Sequence, residues 1–304
     1  MPWRRLGRIY EPEAIGDWAT THAAVPFVGA TCDGGLELFF SPRDRRGRSY
    51  TARATLSLIG QPPQVSTFDT PVLKPGELGA FDDSGAMGTS FVRHEAREYL
   101  YYNGWNVGVT VPFTAFVGCA VKEEGASTFE RVSRAPVVGR TDADPLLAMS
   151  AWVIVEDGCW RMWYVTGVEW VATESVPRHR YRITYGESSD GLSWRPSGKT
   201  CIDFSSEAEY AIARPCVVRD GDRYRMWFSS RGSMYRIGYA ESNDGIVWDR
   251  DDKAGGLEPV GDGWESESVE YSCVFDFGDK RWMLYNGNGY GMTGIGLAVL
   301  EGLS

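Results

Sequence analysis

YRMWFSSRGSMYRIGYAESNDGIVWDR, residues Tyr224–Arg250, is the stretch that decides the fold. Tyr224–Phe228 alternates large side chains and ends in a polar tip, Ser229–Arg231. A second strand, Tyr235–Glu241, follows, and an Asn243-Asp244-Gly245 turn leads into Trp248. The same unit stands earlier at Trp160–Arg195, with WRMWYVTG and then YRITYGESSDGLSW. A shortened copy, RWMLYNGNGYGMTGIGLAV, stands at Arg281–Val299. Recurrence in this detail indicates a repeat architecture.

Upstream of each aromatic strand lies an apolar first strand. These first strands are Val25–Val28, Ser90–Val92, Ala151–Val155, Pro215–Val218 and Ser272–Phe275. Turn residues such as Asp157-Gly158 and Asp220-Gly221 follow them, a strong hairpin signal between alternating apolar runs. The second strands are Leu36–Phe40, Tyr99–Tyr102, Trp160–Tyr164, Tyr224–Phe228 and Trp282–Tyr285. Third strands follow at Tyr50–Leu56, Ala115–Val121, Tyr181–Glu187, Tyr235–Glu241 and Ile295–Leu300. Such units predict an all-β, five-bladed β-propeller with four-stranded antiparallel blades around a central axis. The whole chain, 1–304, reads as one domain, with blades starting near 25, 90, 151, 215 and 272. The last unit stops short after Leu300, so Arg4–Tyr10 is expected to supply its outer strand and close the ring. The Thr166–His179 insertion is expected to form a lid or rim loop.

The formal net charge of −10 disfavours a phosphate backbone as partner, so no nucleic acid is expected. The N-terminus lacks the apolar core of a secretory signal, and no run approaches the roughly 20 apolar residues that span a bilayer. A soluble, cytoplasmic protein without a membrane partner is the expectation. The six cysteines lack CxxC spacing and read as reduced, buried thiols. No HxxxH or equivalent pattern occurs, so no transition-metal site and no cofactor are expected. A hard cation such as Ca2+ on the axis, held by oxygen ligands, stays open. Gly287–Gly296 mimics a glycine-rich nucleotide loop but opens no predicted helix.

Propeller geometry brings the residues before strand one and after strand two to one face, near the axis. Before strand one stand His22, Asp82, Asp83, Glu209, Arg214, Glu265, Glu267, Glu270 and Tyr271. After strand two stand Arg43, Asn103, Trp105, Arg231, Asn286 and Asn288. Carboxylates beside aromatic platforms, amides and arginines suit a sugar: ring faces stack on C–H surfaces and polar groups bond hydroxyls. Each lone Asp or Glu also has a plainer reading as a turn cap or solvated loop residue. Arg214 and Arg231 suit an anion clamp, or else ion pairs with Glu209 or Glu267. His22 suits an acid/base or sugar ligand, or an ordinary hydrogen-bonded role. His94 and His179 read as turn or loop residues.

The repeated W-x-M-W-Y and Y-A-E-S-x-D-G-x-x-W text, with FDDSGAMGTSF, EYAIARPCVV, GWESESVEY and MLYNGNGYG, resembles the propeller superfamily of arabinanases, levansucrases and invertases. The resemblance covers nearly the whole chain and implies a first-blade acid, a second carboxylate and a glutamate general acid. This sequence departs from that pattern at Ala24-Val25-Pro26, where such glycosidases carry Asp before the Pro. The remaining acids are then Asp82 or Asp83, Glu209 and Glu267.

The reading is a carbohydrate-active enzyme that cleaves or transfers a glycosidic bond through a carboxylate acid/base pair in an axial pocket. Glu209 is the expected general acid, its pKa raised by neighbouring Ala211 and Ile212. Asp82 or Glu267 would be base or nucleophile. His22, Arg43, Asp83, Asn103, Trp105, Arg214, Arg231, Tyr271, Asn286 and Asn288 would bind substrate. The expected partner is a small sugar, glycoside or activated sugar. Two alternatives stand beside this reading. One is a cytoplasmic glycosyltransferase or other sugar-modifying enzyme whose arginines hold the anion of an activated donor. The other is a non-catalytic carbohydrate-binding propeller.

Overall fold

The computed structural model describes residues 2–59 and 62–302. After β1 (Trp3–Tyr10), the chain builds one antiparallel meander after another. The first is β2 (Thr21–Cys32), β3 (Gly35–Arg43), β4 (Ala52–Ser57) and β5 (Gln64–Thr67). The second is β6 (Gly85–His94), β7 (Arg97–Val107), β8 (Phe113–Glu123) and β9 (Glu130–Arg131). The third is β10 (Ala148–Glu156), β11 (Cys159–Val171), β12 (Arg178–Ser188) and β13 (Arg195–Ile202). The fourth is β14 (Ala211–Asp220), β15 (Arg223–Arg231), β16 (Tyr235–Ser242) and β17 (Asp249–Arg250). A single parallel pair, Tyr181–Ala211, joins the third and fourth meanders into one eight-stranded sheet.

The last meander is β18 (Glu270–Phe277), β19 (Lys280–Asn286) and β20 (Ile295–Leu300), and β1 completes it. β1 pairs antiparallel with β20, from Trp3 opposite Leu300 to Tyr10 opposite Ile295. The N-terminus therefore covers the edge that β20 would otherwise leave unpaired, as the alternation of Arg4–Tyr10 predicted. The Thr166–His179 insertion does not form a separate loop. It lengthens β11 and β12 into one hairpin, because Glu169–Arg180 and Trp170–His179 stay paired.

Two short-range devices hold the meanders together. In the Ser188-Ser189-Asp190-Gly191 turn, Asp190 Oδ1 accepts the amides of Leu192 and Ser193, at 2.8 and 2.7 Å. Asp244 Oδ1 does the same for Ile246 and Val247. Each turn then docks on the previous meander: Tyr101 Oη donates to Gly191 O and Trp163 Nε1 to Gly245 O, both at 2.7 Å. The second device is a glycine on strand three. A Cβ on Gly118, Gly238 or Gly296 would stand 2.2–2.4 Å from the ring of Tyr102, Phe228 or Tyr285, so glycine lets each aromatic lie flat on its neighbour strand.

Every inner strand carries a register shift near its start. Five non-glycine residues there have positive φ: His22 (61°), Val25 (53°), Ser150 (53°), Arg214 (54°) and Tyr271 (56°). Such backbone is costly for a β-branched or bulky residue and needs a partner to hold it. Three of these amides have one from strand two of the preceding meander. Val25 N–H is taken by Asn286 Oδ1 (2.8 Å), Ser150 N–H by Asn103 Oδ1 (2.6 Å) and Tyr271 N–H by Ser229 Oγ (2.8 Å).

Candidate functional site: the axial pocket

Each inner strand lines a common pocket near its bulge. Val25, Met87, Ser150, Arg214 and Tyr271 all line it, so it opens on the axis. Its volume is about 390 Å³, enough for a small sugar.

Arg214 forms the floor and is fully buried. Its guanidinium leaves β14 and donates to Thr89 O on β6 (2.8 Å) and to Pro26 O on β2 (3.4 Å). Cζ also lies 5.3 Å from the Trp152 ring centroid and 5.8 Å from that of Phe27. A side chain that reaches three other inner strands occupies the centre of the ring, the place a hard axial cation would need. Among the described residues no carboxylate pairs with Arg214, and its Nε has no hydrogen-bond partner. Burial lowers its proton affinity from the ordinary value. The cost of burying this charge without an acid partner is offset by the two carbonyls and the two ring faces.

Two more arginines share the pocket. Arg231 donates to Tyr290 Oη. Its Cζ lies 5.2–5.5 Å from the rings of Tyr210, Tyr235 and Tyr290, an aromatic cage that fixes the guanidinium. Arg43 lines the same pocket from the end of β3. Neither has a carboxylate partner among the described residues, and both leave Nε unbonded. The sequence-level choice between an anion clamp and pairing with Glu209 or Glu267 thus falls against pairing. His179, expected in a loop, sits in β12 and lines the pocket, stacked 4.5 Å from Tyr181. Burial first, then Arg231 and Arg178, push it down to about 4, so it is neutral at neutral pH. Tyr181 Oη and Tyr235 Oη share a 2.7 Å hydrogen bond in the same wall.

The expected catalytic carboxylates lie elsewhere. Asp82 accepts from Tyr102 Oη (3.2 Å) on β7 and Arg131 Nε (2.8 Å) on β9. Glu265 does likewise with Tyr285 (2.9 Å) and Arg5 (3.1 Å), and Asp144 with Tyr164 (2.7 Å). In the fourth meander Phe228 replaces the tyrosine, and Glu209 takes a two-bond fork from Arg250 of β17 instead. These acids bind second and fourth strands, so they sit over their own sheets, radially outside the axis. That is the physical reason they miss the pocket: the chain enters each inner strand from the periphery. The expected rise of the Glu209 pKa is reversed. Burial alone would raise it, but Arg250 and the Ser205 amide hold it below the usual range. Glu267 is exposed and outside the pocket lining.

Other expected ligands divide the same way. Arg43, Asn103, Trp105, Arg214, Arg231 and Tyr271 line the pocket. His22, Asp83, Asn286 and Asn288 do not. His22 bonds Thr21 Oγ1 (2.9 Å) and is pushed down to about 4 by burial and Arg43. Asp83 caps the Gly79 amide (3.0 Å) and accepts from Asn106 (2.7 Å). Asn286 is fully buried and spends its amide on Val25 N, Ala23 O and Gly294 O. Asn288 ties the amides of Glu267 and Ser268 into a loop.

One carboxylate behaves differently. Glu270 is buried behind the tyrosine wall, where Oε1 accepts from Tyr290 N–H (2.8 Å) and Ser268 Oγ (3.3 Å), and Oε2 has no partner among the described residues. Burial pushes it up to about 7. Its place directly before the bulge residue Tyr271 was visible in the sequence, but its burial was not.

Solved structures of glycoside hydrolases and of a phosphorylase share this fold. A complex of BT0996 with RGII superposes with a TM-score of 0.77 at 17% identity, covering 98% of this chain and 91% of that one. β-1,2-Mannobiose phosphorylase from Listeria innocua, in complex with β-1,2-mannobiose, gives 0.70 at 13%, covering 99% and 97%. The GH32 β-fructofuranosidase BmSUC1 of Bombyx mori gives 0.66 at 13%, covering 98% of this chain and 62% of that one. At these identities the likeness defines the fold alone. No protein-family model matches the chain. Two full-length relatives come from Mycobacterium tuberculosis: uncharacterized protein MT1551 of strain CDC 1551 / Oshkosh, 43% identical, and uncharacterized protein Rv1502 of strain ATCC 25618 / H37Rv, 42% identical. Each aligns over 303 residues, 99% of this chain and 100% of the relative. The chain belongs to the family of these mycobacterial proteins.

Proposed function

We propose that this protein is a carbohydrate-active enzyme, a single-domain five-bladed propeller over 1–304, whose axial pocket takes a sugar bearing a phosphate or carboxylate group. The five blades follow if the eight-stranded sheet is divided at its one parallel pair, Tyr181–Ala211. The observation that carries the functional reading is the set of three arginines, Arg43, Arg214 and Arg231, in a pocket that no carboxylate of the described residues lines. Arginine presents a planar fork suited to oxyanions. Trp105 and Tyr271 supply ring faces for the sugar, and the neutral His179 is a hydrogen-bond partner. A carboxylate pair astride a glycosidic bond finds no support in such a wall. The reading favours an activated, anionic donor or substrate over a neutral glycoside. The phosphorylase and hydrolases that share the fold are consistent with sugar chemistry on this scaffold.

Calorimetric titration with hexose 1-phosphates, hexuronic acids, inorganic phosphate and neutral hexoses tests this. Binding of the anionic sugars should exceed that of neutral hexoses at least tenfold and weaken with salt. Turnover is then sought by product analysis of the best binder with sugar acceptors. Equal affinity for neutral and anionic sugars would overturn the reading.

A further inference from the structure

The two sides of the axial pocket are chemically unlike. Arg43, Arg231, Tyr235, Tyr271 and Tyr290 come from the first, fourth and last meanders. Facing them, Trp105, Pro112, Phe113 and Met149 come from the second and third. The apolar side continues outward. Phe113 packs against Trp170 at 5.4 Å, which brings the β7–β8 and β11–β12 hairpins together at the mouth. Their outer ends then present Val107 (71% exposed), Val109 (104%), Val168 (39%) and Val176 (58%). The hairpin ends after β3 and β15 are polar, with Arg45, Arg46 and Arg48 and with Gly232 and Ser233, while the end after β19 presents Tyr290 and Met292. Exposed valines are thus concentrated where the apolar wall leaves the pocket. Apolar side chains gathered at a pocket mouth suit an apolar ligand group.

We propose that the substrate is amphiphilic: an anionic sugar whose apolar chain runs from the pocket along Phe113 and out between the Val109 and Val176 hairpins. This rests on the anion reading above and adds the class of aglycone. The arginine side fixes the polar end, and charge complementarity sets the direction in which the chain must lie. A sugar alone fills the pocket and has no use for the valines.

The test is calorimetry with inorganic phosphate, n-butyl phosphate, n-hexyl phosphate and n-decyl phosphate, all below their micelle concentrations. Affinity should rise from butyl to decyl, up to about fourfold for each methylene that is fully buried. A Val109→Asp/Val176→Asp double variant, shown to be folded by an unchanged thermal melt, should lose most of that chain-length dependence. Phosphate binding with equal affinity for butyl and decyl phosphate would overturn the apolar chain and leave the anion reading intact. Binding of none of the four probes overturns both. An unchanged chain-length dependence in the double variant would overturn the path between the hairpins. Co-sedimentation with phosphatidylcholine vesicles that the double variant abolishes, without any chain-length effect, would make the valines a bilayer contact instead.

Discussion

Arg250 forks onto Glu209, with Nη2–Oε1 at 2.7 Å and Nη1–Oε2 at 3.0 Å, and the two residues come from opposite ends of the fourth meander. The pair is mostly buried, with side chains 16% and 7% exposed. It answers the Asp82–Arg131 and Glu265–Arg5 pairs of other meanders. A carboxylate held this way is a staple between an inner-strand entrance and an outer strand.

Glu209→Gln should therefore act on stability. Weakening a bidentate, largely buried pair is expected to cost about 2 kcal/mol. Urea unfolding checks this, and ligand binding at saturating folded protein should stay near wild type. A large loss of binding without loss of stability would return Glu209 to the chemistry.

Arg214→Met should do the opposite. The cation has no acidic partner among the described residues, so an apolar replacement of similar length should leave stability within about 1 kcal/mol of wild type. Affinity for inorganic phosphate or a hexose 1-phosphate should fall at least tenfold. Retained affinity would remove Arg214 from the site.

Glu270 gives a pH dependence with a definite sign. Its folded pKa is raised to about 7, above the ordinary carboxyl value. Between the two the native state holds a proton that the unfolded chain releases. Stability from this group therefore falls as pH rises from about 4.3 toward 7, by on the order of 3 kcal/mol. Glu270→Gln keeps an acceptor for the Tyr290 amide and removes the charge. It should match wild type near pH 4 and exceed it at pH 8 in urea midpoints. Parallel curves for the two proteins would show that Glu270 ionises freely in the fold.

Asn286→Ala removes three buried hydrogen bonds and leaves the amide of Val25, at φ 53°, without its acceptor. A loss of about 3 kcal/mol in urea unfolding is expected. Asn103→Ala removes the corresponding acceptor of Ser150 and should destabilise less, since fewer bonds are shown for it. If Asn286→Ala unfolds like wild type and weakens sugar binding, the residue is a ligand after all.

The repeat text was readable because its causes are local. Aromatic alternation, Asp-Gly turns and the Ser-x-Asp-Gly turns act within a few residues, so Trp160–Tyr164 and Tyr224–Phe228 announced their strands. Ring closure by Arg4–Tyr10 was readable too, because an alternating segment without a partner faced a unit without an outer strand. The pocket lining was readable in part. Strand direction alone put Arg43, Asn103, Trp105, Arg214, Arg231 and Tyr271 on the face where the axial pocket opens. His179 was missed because the pairing of Trp170 with His179 extends a hairpin where the sequence suggests a loop.

The meanders, their order and the face on which their ends gather all follow from the sequence, because strand alternation and turn chemistry are properties of neighbouring residues. Radial position does not, since it is set by long-range packing. Asp82 and Glu209 lie outward because Arg131 and Arg250, 49 and 41 residues further along the chain, hold them there. Arg214 lies at the centre because the bulge at φ 54° turns it inward, where no acid among the described residues meets it. Whether a charge is paired or bare depends on such distant partners, and that balance moved the proposed chemistry from the carboxylates to the arginines.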